Sequence, residues 1–353
     1  MNTATRIVFF NPWAAGLEET AAYLGRLPAL DLSAHLPPGA DASLRAMARL
    51  DRDWYGECAR CFAALELPAA GMQPALVVGP AGLAALAERA AQRPAREDWW
   101  LVFMAHHPEK IGPALAPLCG FLRKTGVRIA YYAFDEASRA LACFGALAPH
   151  LDVLIHDEAP LGPAAAGLRA DCLAIHRSWV ANVVPFAVPF NEDPERKIIF
   201  LGSRLGLTPH RRRQIDFLSA TFKDRFVAWH DHSVSVSARD GLSRYAAGFC
   251  PEGRKFTTPT MARTHTDRPF WSGCLGLVPV SEDSAPGGRL EELARAGLIR
   301  RYAHADLAAL REACEAALEA TLAERRRIYD HFNRHETVGP VLAAALASAA
   351  VAA

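Results

Sequence analysis

Short apolar runs that alternate with amphipathic stretches restrict this chain more than any other feature. From Ile7 to about Val188 the runs are Ile7 to Phe10, Ala75 to Val78, Trp99 to Met104, Ile129 to Tyr132 and Val153 to Ile155. Between the third and fourth, Ile111 to Lys124 repeats its apolar residues with helical period and stops at Gly126, a residue suited to the left-handed position after a helix. Buried strand followed by amphipathic helix predicts βαβ units, hence a parallel sheet with helices on both faces. A second series begins at Ile198 and continues with Phe226 to Trp229, Leu275 to Val280 and a closing helical stretch from about Leu307 to His335.

A chain of 353 residues exceeds what one hydrophobic core usually holds, so two domains are expected. Between the series, Val183 to Pro194 carries three prolines and two acidic residues and reads as an extended linker. The expected domains are residues 1–190 and 191–340, with an Ala-rich tail over 341–353 that either extends a helix or frays. Two open α/β sheets of this kind present the loops at the carboxyl ends of their strands, where ligands bind.

Charge excludes some functions. Lys plus Arg number 39 against 38 Asp plus Glu, which leaves no global field to hold a polyanion, so nucleic acid is not an expected partner. Apolar residues make up 51%, yet Pro, Gly or charged residues interrupt each run before the roughly eighteen residues of a membrane span. Met1 to Arg6 leads straight into the first strand without the pattern of a secretory signal, and a cytoplasmic location is the expectation. The eight cysteines include one close pair, Cys58 and Cys61, inside a helical pattern, and read as reduced, packed thiols.

Candidate binding residues concentrate between Lys197 and Glu282. The run Ile198 to Leu201 breaks at Gly202-Ser203-Arg204 and is followed by a helix carrying Arg211, Arg212 and Arg213. Free backbone N–H groups of such a turn suit an anionic diphosphate. Three successive helical positions point about 100° apart, so at most two of the arginines share a face. Further on, Glu252-Gly253-Arg254-Lys255 joins a planar fork of donors to a compact charge, and Thr257, Thr258 and Thr260 add hydroxyls. A loop with Arg263, Asp267 and Arg268 then leads into Phe270-Trp271-Ser272-Gly273-Cys274.

These residues, with Pro185 to Val188 ahead of them and His331 to Thr337 at the end, resemble the GT-B glycosyltransferases, and within them the CgeB-like and group 1-like members. The resemblance covers residues 185 to 340. It implies two Rossmann-like domains facing across a cleft and a nucleotide-diphosphate sugar bound as donor substrate. It also implies an acceptor that is a glycan, a lipid-linked group or a small molecule, no permanently bound cofactor and no metal. One departure stands out. The family's donor-holding acid, five residues before the conserved Gly, is replaced here by Arg268, with Asp267 beside it. A nucleotide-sugar 2-epimerase of the same architecture and a non-catalytic nucleotide- or partner-binding protein remain alternatives.

In the first half, His106 and His107, Asp135 and Glu136, and His156 to Glu158 each follow an apolar strand. An inverting transfer needs a carboxylate or imidazole at the acceptor hydroxyl. A retaining one needs groups that stabilise an oxocarbenium-like centre instead. The sequence leaves both open. His230-Asp231-His232 has the look of a metal motif but lacks further ligands at a zinc spacing. Nucleophile-elbow and Walker motifs are absent from the sequence.

Overall fold

The computed structural model describes residues 4–30, 36, 38–63, 72–93, 97–105, 116–133, 147–156, 167–177, 181, 183–202, 207–229, 241–251, 267–283 and 289–352. The chain divides into two units. Met1–Gly39, Tyr55–Arg177 and Gly339–Ala353 form the first, and Ala40–Trp54 with Ser178–Val338 the second.

The first unit is built on β1 (Ala4–Phe10), β2 (Leu17–Glu19), β3 (Met72–Val78), β4 (Glu97–Ala105), β5 (Val127–Ala133), β6 (Val153–His156) and β7 (Leu173–His176). They pair in the order β2-β3-β1-β4-β5-β6-β7, all parallel except the short edge strand β2, which runs antiparallel to β3. Ile7, Val8, Phe9 and Phe10 are all buried, as a strand covered on both faces requires. One face packs Val8, Phe10, Leu101, Phe103, Ile129 and Tyr131 against residues of two helices. These helices are numbered with two earlier ones: α1 (Thr20–Arg26), α2 (Ala42–Ala63), α3 (Leu83–Ala91) and α4 (Ala116–Lys124). Gly126 sits at φ +80° just past α4, the left-handed residue the sequence anticipated.

The second unit has a five-stranded sheet of β8 (Glu195–Leu201), β9 (Phe226–Trp229), β10 (Tyr245–Cys250), β11 (Val278–Glu282) and β12 (Arg300–Tyr302), ordered β12-β11-β10-β8-β9. Every pairing is parallel. Each residue of β10 and β11 is buried, the signature of a central parallel strand. The helices are α5 (Pro209–Phe222), α6 (Arg268–Cys274), α7 (Arg289–Arg295), α8 (Leu307–Leu318) and α9 (Leu322–His335), followed by α10 (Val338–Ala352), nearly all of which belongs to the first unit.

Two segments differ from the sequence reading, and the tail takes the helical of its two expected courses. The closing helical stretch is two helices, because Thr321 and Glu324 form a reciprocal capping box that starts α9 afresh after α8 has ended at Glu319. The proline-rich segment expected as a free linker lies along α9. Phe186 and Phe190 pack on the Tyr329 ring, the Tyr329 hydroxyl donates to the Val188 carbonyl at 2.8 Å, and Asn333 accepts the Phe186 N–H at 2.7 Å. The Ala-rich tail is a packed helix, with Val341, Leu342, Ala345, Leu346 and Ala349 buried at i, i+1, i+4, i+5 and i+8. Among the described residues no helix is long and apolar enough to cross a membrane.

The join of α6 to α9 generates a prediction. A Cβ placed on Gly273 would lie closer than 3.0 Å to three atoms of the buried Phe332 ring. Gly273→Ala should therefore lower unfolding stability by about 1–3 kcal/mol, the usual cost of overpacking. Chemical denaturation measures it, and the pair Gly273→Ala with Phe332→Leu should recover part of the loss. An unshifted midpoint would show that the ring moves aside freely.

Candidate functional site

In a parallel sheet every strand delivers its carboxyl end to the same edge. At that edge of the second unit stand Gly202 after β8, Cys250 closing β10, Glu282 closing β11 and Tyr302 closing β12. Gly202 meets the Phe200 ring so closely that a Cβ would run into it. The Arg268 guanidinium lies over the same Phe200 ring, 5.9 Å from its centroid. Cys250 joins this group. Burial pushes its thiol up to about 12, while the Ser272 hydroxyl and the Arg268 charge work in the opposite direction and Asp267 adds to the rise. The structure thus brings Gly202, Asp267 and Arg268 to the ends of β8 and β10.

Arg212 has a different setting. Thr208 caps α5 by accepting the Arg211 N–H at 3.2 Å, and Pro209 takes the first helical position, where its missing N–H costs nothing. From there Arg211 turns inward and is buried. Arg212 and Arg213 are exposed and line an open depression of about 410 Å³ with Leu207, Pro209 and Asp216. The other binding candidates, Ser203, Arg204, Glu252, Gly253, Arg254, Lys255, Thr258 and Arg263, lie outside the described residues.

In the first unit β4 and β5 end side by side, with Ala105 opposite Ala133. His106, His107, Asp135 and Glu136 continue these strands in sequence and lie outside the described residues. His156 closes β6, is buried, and pairs in register with His176 of β7. A cavity of about 450 Å³ in this unit lies at the opposite edge, where the strands begin. Trp100, Arg123, Arg128, Asp152, Arg169 and Ala349 line it. Its cations are matched by carboxylates: Arg123 and Arg169 reach Asp152 at 3.0 and 3.1 Å, and Arg128 pairs with Asp98. These paired charges lie away from the carboxyl ends of the strands, where open α/β sheets bind ligands.

One cluster escaped the sequence reading. His210, the second residue of α5, places Nε2 2.7 Å from Glu282 Oε1, and His304, beyond β12, places Nδ1 2.8 Å from the same oxygen. The two imidazoles stand 4.6 Å apart. The Ala305 N–H donates to that oxygen at 3.1 Å, from a backbone held at φ +61°, a left-handed conformation that costs a non-Gly residue about 1–2 kcal/mol. The three side chains come from residues far apart in sequence, and no local spacing links them. The run His230-Asp231-His232, which the sequence reading sets aside as a metal motif, lies outside the described residues.

No protein-family model matches the chain, and no curated protein does. Solved structures similar to it include AviGT4, a glycosyltransferase involved in avilamycin A biosynthesis, at 14% identity over 98% of this chain and 96% of that one, with a TM-score of 0.46. An alpha-glucosyltransferase in complex with UDP and a 13-mer DNA is similar at 10% identity over 99% of this chain and 100% of that one, with a TM-score of 0.49. HepE of Anabaena, in complex with UDP-glucose, is similar at 12% identity over 97% of this chain and 99% of that one, with a TM-score of 0.45. All three scores fall below 0.5, so the fold is read from the strand order itself. Two α/β units with parallel sheets are what a GT-B chain requires.

A thiol at the edge of a site invites a nucleophilic role, and the environment of Cys250 argues against it. A thiol held at about 12 is almost wholly protonated at neutral pH. Iodoacetamide at pH 8 should leave Cys250 unmodified in the native protein and alkylate it in denaturant, as read by peptide mass spectrometry. Rapid native labelling would contradict the burial.

Proposed function

We propose that the chain is a glycosyltransferase that moves a sugar from a nucleotide-diphosphate sugar to an acceptor hydroxyl, in bacterial surface-glycan or glycoconjugate synthesis in the cytoplasm. The observation that supports this most is the carboxyl edge of the second sheet, where Gly202 follows β8 against the Phe200 ring, the Arg268 guanidinium lies over the same ring and Asp267 adjoins Arg268. In this reading residues 191–340 hold the donor and residues 1–190 the acceptor. The diphosphate takes backbone N–H groups of the Gly202-Ser203-Arg204 turn together with Arg254 and Lys255. Glu252, Gly253, Thr258 and Arg263 complete the donor loop. Arg212 contributes charge from α5.

Transfer forms a bond from the acceptor oxygen to the anomeric carbon and breaks the bond to the diphosphate, which leaves with the electron pair. Cations and N–H dipoles fixed in place stabilise that leaving group, so the step calls for no metal and turnover should survive EDTA. In an inverting course the acceptor proton passes to a base, for which Asp135, Glu136, His106 and His107 are the candidates. Near-neutral total charge fits a sugar or small-molecule acceptor better than a nucleic acid.

A thermal-shift series with UDP, GDP, TDP, ADP and CMP tests donor binding, and acceptor-dependent release of the stabilising nucleotide tests transfer. Isomerisation of a UDP-sugar without acceptor would make the chain a 2-epimerase instead. Replacing Arg254 and Lys255 together by Ala should weaken diphosphate binding by several kcal/mol, at roughly 1.5–3 kcal/mol per hydrogen bond to a charged group. An unchanged dissociation constant removes both from the site. For the base, Asp135→Asn, Glu136→Gln, His106→Gln and His107→Gln are compared at saturating donor. The variant that loses the base should bind donor normally and transfer about 10²–10⁴ more slowly. Near wild-type turnover in all four would place the base elsewhere or favour retention of configuration.

A further inference from the structure

We infer that His210, Glu282 and His304 form a binding site for one divalent transition-metal ion of the zinc class. Their ligand atoms lie within 4.8 Å of one another. Two imidazole nitrogens and one carboxylate are a borderline-soft donor set that suits Zn²⁺. Three such ligands leave a fourth tetrahedral position for water. At bond lengths of about 2.0–2.1 Å, tetrahedral ligands stand about 3.3 Å apart. The nitrogens now lie 2.7 and 2.8 Å from Glu282 Oε1, so each of these two pairs has to open by about half an ångström to reach that spacing.

The framework suits such a site in three ways. Glu282 closes a central strand and its side chain is fully buried, and a buried carboxylate is stabilised by compensating positive charge. Its orientation is held from outside the cluster by the Ala305 N–H, the kind of outer contact that aims a metal-ligating carboxylate. His210 is fixed by the first turn of α5 under the Thr208 cap. His304, in contrast, is 43% exposed and gives an ion its path from solvent. All three residues belong to the second unit. The site does not rest on the proposed transfer reaction, and that reaction is not asked to use it.

The test uses the full chain, stripped with EDTA and freed of chelator, and titrated with Zn²⁺ against a chromophoric competitor. One high-affinity ion per chain is expected. Substituting Co²⁺ should give the visible bands of a tetrahedral nitrogen and oxygen site without the near-ultraviolet band of thiolate ligands. That distinction matters because the chain has eight cysteines. The pair His210→Ala with His304→Ala should weaken Zn²⁺ by more than the about 10–100-fold that losing an outer partner alone produces. Glu282→Gln should also weaken it. His304→Ala changes a half-exposed side chain, so it reports on affinity even if the double variant is poorly folded. No binding to the wild-type chain, a thiolate band, or affinity unchanged in His304→Ala would each overturn the inference.

Discussion

The contact between Phe332 and Gly273 is the one on which the second unit depends. It lets α9 approach α6 within ring thickness, and α6 carries Arg268 at its first position. The helices then share polar ties as well: Asn333 donates to the Cys274 carbonyl at 2.9 Å and Arg325 to the Gly276 carbonyl at 3.2 Å. Arg325 is buried and also donates to the Asn191 carbonyl at 2.9 Å, so one guanidinium clamps the chain entering β8 to the turn leaving α6. A buried cation needs such partners, because an uncompensated charge in this interior would cost several kcal/mol. The placing of Arg268 over Phe200 follows from this packing rather than from the local sequence of its own loop.

The end of α9 repeats the logic with charge. Glu336 is fully buried and is met by Arg289 from α7 and by His331 one turn back, at 3.3 Å. Next to it, Ala181 and Thr337 make a short parallel bridge, with the Ala181 N–H donating to the Glu336 carbonyl at 2.7 Å. Thus the stretch His331 to Thr337, which resembles a family's closing element in sequence, serves here to fasten the entry and exit of the second unit to one another.

The strands legible in the sequence are those whose apolar runs are long or rich in aromatic and β-branched residues. β1, β3, β4, β5, β6, β8, β9 and β11 announce themselves in this way. β10 did not, because Tyr245-Ala246-Ala247-Gly248-Phe249-Cys250 is dominated by small residues that helices use as readily. Gly248 is needed there because the Ser272 side chain packs where a Cβ would stand. β2 and β12 have three residues each, too few for a period to emerge, and β7, Leu173-Ala174-Ile175-His176, has a single β-branched residue to mark it. The break between α8 and α9 was legible in principle, since Thr321-x-x-Glu324 is a start signal, but continuous helical periodicity on either side masks it.

Site residues were legible for a different reason and to a different extent. Gly202 and Arg268 stand at a strand end and a helix start, positions that sequence patterns mark. Arg212 was marked by its charge, and since three adjacent helical positions cannot all turn inward, the structure buries Arg211 and leaves Arg212 and Arg213 exposed. The His210, Glu282 and His304 cluster had no such signal, being assembled from three connections that only the sheet order brings together. Parallel topology makes this assembly possible, since β8 and β11 flank β10 on opposite sides and still deliver their following residues to one edge. A buried carboxylate at the end of β11 then needs counter-charge from whatever the neighbouring loops supply. Two histidines meet that need with ring nitrogens that can also ligate a cation, which a lysine ammonium or an arginine guanidinium cannot do.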